Sequence, residues 1–207
     1  MNPTIINFPT LSAVASDVLW ELQRFDGRFT SPLAGTFQDV IRPGARWMCT
    51  LSWKTLTYAD AQALTAWSVQ MAKGGVRTAL PNYAYSMGGS GLGAPVVNGA
   101  GQTGDALITD GWTASENGVL LPADLFQVTN GTLHQLLMVI AQANSDAGGN
   151  STISFEPALR FSPTTASALV LANPQAYFAF AKPSAATHYT PPHIASMALS
   201  LIEDIQI

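Results

Sequence analysis

The chain has 207 residues, a formal net charge of −4 and charged side chains at only 11% of its positions, well under the roughly 25% typical of globular proteins. Its length allows a hydrophobic core to form without disulfide bonds or a structural metal. A single cysteine, Cys49, excludes an internal disulfide framework and a cysteine-based zinc site. The first cationic side chain is Arg24, and the longest strongly apolar run, Leu136 to Ala141, is too short to cross a bilayer. We therefore expect a cytoplasmic product with neither a signal peptide nor membrane insertion.

The scarcity of charge predicts an unusually neutral surface. Such a surface suits a subunit that buries much of itself against copies or partners, because interface cores are depleted in Lys, Glu and Asp; a neutral, poorly soluble monomer is the alternative. The charge is also uneven, since residues 1–80 carry seven Lys/Arg against five acids (+2) and residues 81–207 carry two against eight (−6). No basic stripe of the kind that marks a nucleic-acid surface appears in the sequence, so sequence-specific DNA binding is not expected.

The first 13 residues are predicted to form an extended arm. The stretch "MNPTIINFPTL" contains two prolines and apolar residues that follow neither a helical nor a strand period. Such an arm is able to clasp a neighbouring subunit. Its candidate subunit-contact residues are Ile5, Ile6 and Phe8.

Strands are predicted next, at "DVLWELQRF" (17–25), at "TFQDVI" (36–41) and most clearly at "RWMCTLSWK" (46–54). In the last of these, alternation places one set of residues on a core face: Trp47, Cys49, Leu51 and Trp53. Cys49 is therefore interpreted as a small buried hydrophobe rather than a reactive thiol.

One strong helix is predicted in "TYADAQALTAWSVQMAKGG" (57–75), where Thr57 can cap the start and glycines close the end. Leu64, Trp67 and Met71 share one face, which is expected to pack on a sheet rather than to bind a cofactor.

The second half of the chain is predicted to consist of short strands that follow a Gly-rich loop or boundary. Turn signals such as "TNGT" and "DAGGN" separate them. The segments are "ALIT", "GVLLP", "LFQV", "LHQLLMVIAQA", "STISFE", "SALVL", "AYFAFA" and "IASMALSLIEDI". In the last strand the core face is expected to hold Ala195, Met197, Leu199 and Leu201, and we predict that this strand returns to pair with the N-terminal sheet.

A G-x-G-x-x-G pattern at Gly99, Gly101 and Gly104 invites a dinucleotide-binding interpretation. That fingerprint requires a strand, a tight turn and then a helix. Only "DALITD" separates Gly104 from Gly111, which is too short for a crossover helix and has the pattern of a strand. Ser90 in "GGSGL" likewise lacks the final glycine of a nucleophile elbow.

No other group of residues predicts catalysis. His188 and His193 are five residues apart in "HYTPPH", but no third ligand lies near them, so they and His134 are not expected to bind a metal. Glu203 and Asp204 are adjacent and would point to opposite faces of a strand, which is unsuited to an acid–base couple. The sequence therefore predicts a protein that is not an enzyme and has no cofactor and no metal.

Three stretches carry a resemblance to a known family. They are "SPLAGTFQDVIRPGARWMCTLSWKTLTYADAQALTAW" (31–67), "NGAGQTGDALITDGWTASENGVLLPADLFQV" (98–128) and "LHQLLMVIAQANSDAGGNSTISFEPALR" (133–160). In this order and spacing the chain resembles minor tail proteins of tailed bacteriophages, of the distal-tail or baseplate-hub type. Where that family often has a glycine before an aspartate, this chain has Ala123 before Asp124.

The resemblance implies a structural virion protein of the phage tail, assembled in the host cytoplasm. It implies a homo-oligomeric ring, usually a hexamer, that joins the tail tube to the tail tip or receptor-binding apparatus and leaves an axial passage for DNA. Its partners would be copies of itself and other tail proteins. The family has no catalytic residues to carry over.

The predicted fold is mainly β (α+β), with β-sandwich or barrel units and one packed helix, similar to tail-tube and distal-tail proteins. Four parts are predicted: an arm (1–13), a ring-forming sheet-and-helix unit (14–82 plus 192–207), a Gly-rich connection (83–97) and an inserted small barrel or sandwich (98–190). Two alternatives remain open: a tail-tube or head–tail joining protein, and a carbohydrate-binding β-sandwich module that would use loop aromatics. The candidate aromatics are Tyr83, Tyr85 and Trp112.

Overall fold

The computed structural model describes residues 3–40, 44–182, 186–190 and 194–204. The protein is mainly β, as predicted, with 48% of its residues in strands and 7% in helix. The elements are β1 (Thr4–Ile5), β2 (Asp17–Gln23), β3 (Gly27–Thr30), β4 (Phe37–Val40), β5 (Arg46–Leu56), α1 (Tyr58–Met71), β6 (Val76–Pro81), β7 (Gly93–Val97), β8 (Gly104–Trp112), β9 (Leu125–Asn130), β10 (Leu133–Val139), β11 (Ser151–Leu159), β12 (Gln175–Phe180), β13 (His188–Thr190) and β14 (Ile194–Glu203).

The first sheet has seven strands, in the order β1-β6-β12-β14-β5-β2, with β13 paired to β14. The alternation predicted for β5 is confirmed, because the side chains of its core face are all buried. The last strand, β14, runs antiparallel to β5, from the pair Ala195–Leu56 to the pair Ile202–Met48. The predicted return of the last strand to the N-terminal sheet is therefore confirmed, and its expected core face is buried as well.

The predicted helix forms and packs on this sheet. Its first turn is capped by Thr57, whose hydroxyl oxygen accepts a hydrogen bond from the Asp60 amide at 3.2 Å. The helix ends at Met71, before the glycine pair. Leu64, Trp67 and Met71 are buried as expected, and the helix contacts β14 and β6.

The second sheet has five strands, in the order β7-β8-β11-β10-β9. Its two strands β9 and β10 are buried on both faces. Phe126 and Leu137 belong to a second hydrophobic core, whereas Leu125 and Leu136 belong to the core of the first sheet. The two sheets are thus joined through apolar side chains on β9 and β10.

Two predicted boundaries differ from the observed pairing. Within the predicted insertion (98–190), β12 and β13 pair in the first sheet, and Ala176 and Phe178 of β12 are buried in its core. Within the predicted connection (83–97), β7 pairs with β8 in the second sheet. The reason is physical: alternation identifies a strand with a buried face but not the sheet that receives it. The segments "GVLLP" and "SALVL" form only isolated bridges.

The residue before Asp124 is in a left-handed conformation. Ala123 has φ of +74°, a region that favours glycine because an L side chain crowds its own backbone there.

We expect Ala123→Gly to stabilise the protein by about 0.5–1 kcal/mol, because relief of that crowding exceeds the added backbone entropy of the unfolded chain. Urea unfolding measures the change. Ala66→Gly on the exposed face of the helix is the matched control and should destabilise by about 1 kcal/mol. A loss of stability in Ala123→Gly as large as that of the control would contradict the argument.

Candidate interaction surface

The N-terminal arm is extended but lies on the chain's own core. Residues Thr4–Ile5 pair in parallel with the start of β6. The ring of Phe8 lies 5.0 Å from Trp67 and 6.3 Å from Trp53, centroid to centroid, and Ile6 packs against the same core. Of the three residues predicted as subunit contacts, Ile5 is the exposed one. A subunit-contact role for these residues stays a prediction.

The most exposed apolar element is the hairpin of β3 and β4, residues Gly27–Val40, called the ribbon below. Among the described strands, β3 and β4 pair only with each other. The exposed fraction is 61% for Phe29, 64% for Phe37 and 99% for Leu33 at the turn. A two-stranded hairpin alone is marginally stable in water, so an apolar one without cover indicates a partner surface.

Apolar side chains lie on both faces of the ribbon. Phe29 pairs with Gln38, and Phe37 pairs with the neighbouring Thr30. Successive residues of a strand point to opposite faces, so the two phenylalanines are on opposite sides. Sequence reasoning predicted β4 but missed its exposure, because an apolar residue in a strand is ordinarily assigned to a core.

The formal charges of the ribbon cancel within it. Arg28 donates hydrogen bonds from Nε and Nη2 to the two carboxylate oxygens of Asp39, at 2.7 and 3.1 Å. Its guanidinium carbon lies 4.7 Å from the ring centroid of Phe37. The hydrogen bond from Arg28 lowers the pKa of the Asp39 carboxyl. The pair is solvent-exposed and contributes little to stability, but it leaves the ribbon without net charge.

Three other exposed apolar side chains lie near the other end of β5, but they do not share one face. They are Tyr58 on the helix, and Tyr189 and Ile194 on opposite faces of the sheet. Tyr189 pairs with Ala195, which pairs in turn with Leu56 at the end of β5. The ribbon instead lies at the end of the first sheet where β5 begins, because it follows β2 and precedes β5 in the chain. A strand of this length spans about 33 Å at 3.3 Å per residue.

The sheets are also joined by a buried ion pair. Arg160 donates from Nη2 to Glu203 Oε2 at 2.8 Å and to the carbonyl oxygen of Ala45. Glu203, only 1% exposed, also accepts from the backbone amide of Trp47 at 3.0 Å. The neighbouring Asp204 pairs separately with Arg77. The two adjacent acids therefore have different partners.

A buried carboxylate holds the Gly-rich segment in place. Asp124 accepts backbone N–H groups from Gly88 at 2.7 Å, Gly89 at 2.9 Å and Leu121 at 2.7 Å. Gly89 approaches so closely that a Cβ atom there would lie 2.6 Å from the carbonyl oxygen of Val119. This contact explains one of the glycines that the sequence could only assign to a loop.

His134 lies on β10 and contacts side chains of β9 and β12. Its ring stacks on Tyr177 with centroids 4.6 Å apart, and its Nδ1 is 2.9 Å from Gln127 Nε2. Because Gln127 Oε1 accepts the Gln175 amide at 2.9 Å, the Gln127 amide nitrogen is the group that faces the ring. Nδ1 is therefore an acceptor, and burial lowers the pKa of His134 below its ordinary value of 6.5.

A lowered pKa in the folded state means that the unfolded chain binds the proton more readily. Stability from His134 is therefore present above pH 6.5 and is lost as the pH falls from 6.5 through the lower folded pKa. We expect the free energy of unfolding of the wild type to fall more steeply over that window than that of His134→Gln. Urea titrations at several pH values test this. Parallel pH profiles would contradict it.

The other residues considered for chemistry are separated in the structure. Cys49 is buried, and burial raises the pKa of its thiol to about 12, which confirms its interpretation as a structural residue. His188 is exposed on β13, whereas His193 lies outside the described residues. Over the described ranges, no three His, Cys, Asp or Glu side chains group as a metal site would require.

The glycines 99, 101 and 104 lie at the antiparallel hairpin of β7 and β8, so the predicted strand after them is confirmed.

The aromatic platform suggested for a carbohydrate-binding module does not form as expected. Trp112 is 5% exposed, and its Nε1 donates to Thr109 Oγ1 at 2.8 Å, which corrects its assignment to an exposed loop. The large ring is buried because it ends a strand whose inner face lines the second core. Tyr83 is half-exposed but lies 6.3 Å from Phe8, and the Tyr85 hydroxyl points to Leu125 and Asp124.

Two of the depressions on the described surface are alternatives to the ribbon as ligand sites. One, of about 230 Å³, is lined by Pro81, Asn82, Tyr85, Met87, Leu171, Ala172, Asn173 and Pro174. The other, of about 370 Å³, is more open and is lined mainly by polar residues of the 144–152 segment. The first is smaller than the roughly 300–1,000 Å³ of typical ligand pockets, and the second is open to solvent, with Ile108 as its one apolar side chain. The ribbon is therefore a better candidate for a binding site than either depression.

Comparison of the chain with protein-family models and with curated protein sequences gives no match. No helix in the described part of the chain is long and apolar enough to span a membrane.

Proposed function

We propose that this chain is a structural virion protein, a distal-tail ring or adaptor subunit of a tailed bacteriophage. It would join the tail tube to the tail tip or receptor-binding apparatus around an axial passage for DNA. The observation that carries the proposal is the ribbon, a hairpin with no net charge and exposed apolar side chains that pairs with no other described strand, on a β-rich chain with few charges. Such a surface fits a protein that functions in an assembly.

A second feature supports self-association. In the described part of the first sheet, β2 is an edge strand, paired with β5 on one side only. An edge of seven residues is a template for pairing with another chain. Heterologous contacts repeated with a closing rotation generate a ring. Few Lys or Arg side chains in the second half of the chain would also let DNA pass without adhering, because cationic contacts to phosphate create that binding.

The runner-up is a tail-tube or head–tail joining protein of the same structural class. It would use the same apolar ribbon, but its rings would stack on one another. The carbohydrate-binding alternative loses one of its three candidate aromatics, because Trp112 is buried.

Negative-stain electron microscopy of the purified chain tests the proposal. Single closed rings with a central opening are expected for the distal-tail role. Long stacks of rings would favour the tail-tube role. A field of small globular particles at high protein concentration would contradict both.

A further inference from the structure

We propose that His134 is a proton-sensitive switch that acts on the start of β12 through the side-chain amide of Gln127. Protonation of the ring reverses the Gln127 amide group and releases the backbone amide of Gln175. These three residues are called the amide relay below. The inference goes beyond the proposed function and does not depend on it, because it concerns a junction within one chain.

The amide relay lies where the chain enters the first sheet from the second. Gln127 is on β9 of the second sheet, and Gln175 is the first residue of β12 in the first sheet. The backbone of Gln127 also exchanges two hydrogen bonds of 3.0 Å with the backbone of Val170. A single residue of β9, through its backbone and its side chain, therefore holds both ends of the segment 170–175.

The direction of each hydrogen bond in the amide relay follows from the backbone. The Gln175 N–H can only donate, so Gln127 Oε1 is its acceptor, at 2.9 Å. Gln127 Nε2 then faces His134 Nδ1 at 2.9 Å, and that ring nitrogen carries no proton. Gln127 is only 6% exposed, so a lost partner of its amide is not readily replaced by water. The neutral imidazole is therefore part of the resting arrangement.

A protonated ring is incompatible with this arrangement. Both nitrogens of an imidazolium carry hydrogen, so His134 Nδ1–H and Gln127 Nε2–H would be two donors in contact. Reversal of the Gln127 amide group restores a hydrogen bond to the ring, with Oε1 as the acceptor. The same reversal turns Nε2 toward the Gln175 N–H, which is again a contact of two donors. The conflict therefore moves to Gln175, whose amide loses its acceptor.

Stacking on Tyr177 favours retention of the charged ring at its place. The two ring centroids are 4.6 Å apart, and the planes are inclined by 30°. A cation within about 6 Å of an aromatic centroid is attracted to the face of that ring. The groups that pack against His134 from β9 and β12 are the Gln127 amide and the Tyr177 phenol, neither of them charged, and burial is what lowers the pKa of His134. We therefore expect the amide of Gln127, rather than the ring, to change its orientation.

Amide hydrogen exchange followed by NMR over a range of pH values, corrected for the intrinsic exchange rate, tests the amide relay. The imidazole signals of His134 give the protonated fraction of the ring in the same samples. The Val170 amide is an internal control, because it donates to the backbone carbonyl of Gln127, which does not reverse. His134→Gln is the matched variant, since its side-chain carbonyl can accept from Gln127 Nε2 but does not titrate.

The protection of the Gln175 amide is expected to fall about tenfold as His134 gains its proton, with the same midpoint, which is the effect of one lost hydrogen bond. The Val170 amide should keep its protection, and His134→Gln should show no such fall at Gln175. Unchanged protection of Gln175 through the titration of the ring would overturn the proposal. An equal loss at Val170 and Gln175, present also in His134→Gln, would overturn it as well, because it indicates general unfolding in acid.

A second variant, Gln127→Met, removes the middle residue of the amide relay and keeps an unbranched side chain. The Gln175 amide should then be poorly protected at every pH, although His134 still titrates. A fall in protection at Gln175 that follows the His134 titration even in Gln127→Met would overturn the proposal, because the proton would then act by another route.

Discussion

Arg160→Met should lower the free energy of unfolding by about 3–5 kcal/mol, because it leaves the buried Glu203 carboxylate without its cation. The carboxylate is 1% exposed and is held by the Arg160 guanidinium at 2.8 Å and the Trp47 amide. Water cannot readily replace the lost partner at this depth. Denaturant unfolding followed by tryptophan fluorescence measures the loss.

Two further variants separate this effect from a general effect of removing arginine. Arg24→Met breaks the more exposed ion pair with Glu156 and should cost only about 0–1 kcal/mol. Replacing both buried partners, as in Arg160→Met with Glu203→Leu, should cost less than the sum of the two single substitutions, because no charge remains unpaired. Strict additivity of the two single substitutions would contradict the assignment.

Asp124→Ala should cost about 3 kcal/mol or more. The substitution removes the acceptor of three backbone N–H groups, from Gly88, Gly89 and Leu121. Each hydrogen bond to a charged group contributes about 1.5–3 kcal/mol, and partial rehydration of the loosened loop reduces the total.

The location of the loss is as informative as its size. Hydrogen exchange should accelerate at the amides of Gly88, Gly89 and Leu121, because their acceptor is gone. Asp105→Ala, at an exposed position of β8, is the matched control and should change stability by less than about 0.5 kcal/mol. Unchanged exchange at the three amides would show that the carboxylate does not hold the Gly-rich segment.

The elements that were identified correctly from the sequence are those with a clear local pattern, either alternating apolar residues or a helix cap. The alternation of Trp47, Cys49, Leu51 and Trp53 identified both the strand and its buried face, and the cap at Thr57 identified the start of the helix. These signals are local, since each depends on residues within one element. The return of the last strand to the first sheet was also predicted, from its position and its alternation.

The errors concern which strands pair with each other. That pairing depends on residues far apart in the sequence. The alternation of β12 is equally compatible with either sheet, and only the packing of Ala176 and Phe178 into the first core decides between them. The candidate site was missed for the same reason. Phe29 and Phe37 lie in strands that a periodicity argument would place against a core, whereas no third strand among the described residues pairs with their hairpin. Trp112 was expected in a loop and instead ends a buried strand.

The proposed assembly gives the exposed apolar side chains of the ribbon a physical role. In the isolated chain, Phe29, Leu33 and Phe37 are open to water, which is unfavourable for a soluble monomer with few charges. In the proposed ring the same side chains would be covered. The low charge then becomes favourable, because an interface core buries few ionised groups.

Native mass spectrometry of the purified chain, across a range of protein concentrations, tests the central claim most directly. The account predicts a closed homo-oligomer of one defined mass, a hexamer on the family resemblance, which dissociates to folded monomers when the three ribbon side chains are replaced by serine. A strictly monomeric chain at every concentration, with native circular dichroism, would contradict it.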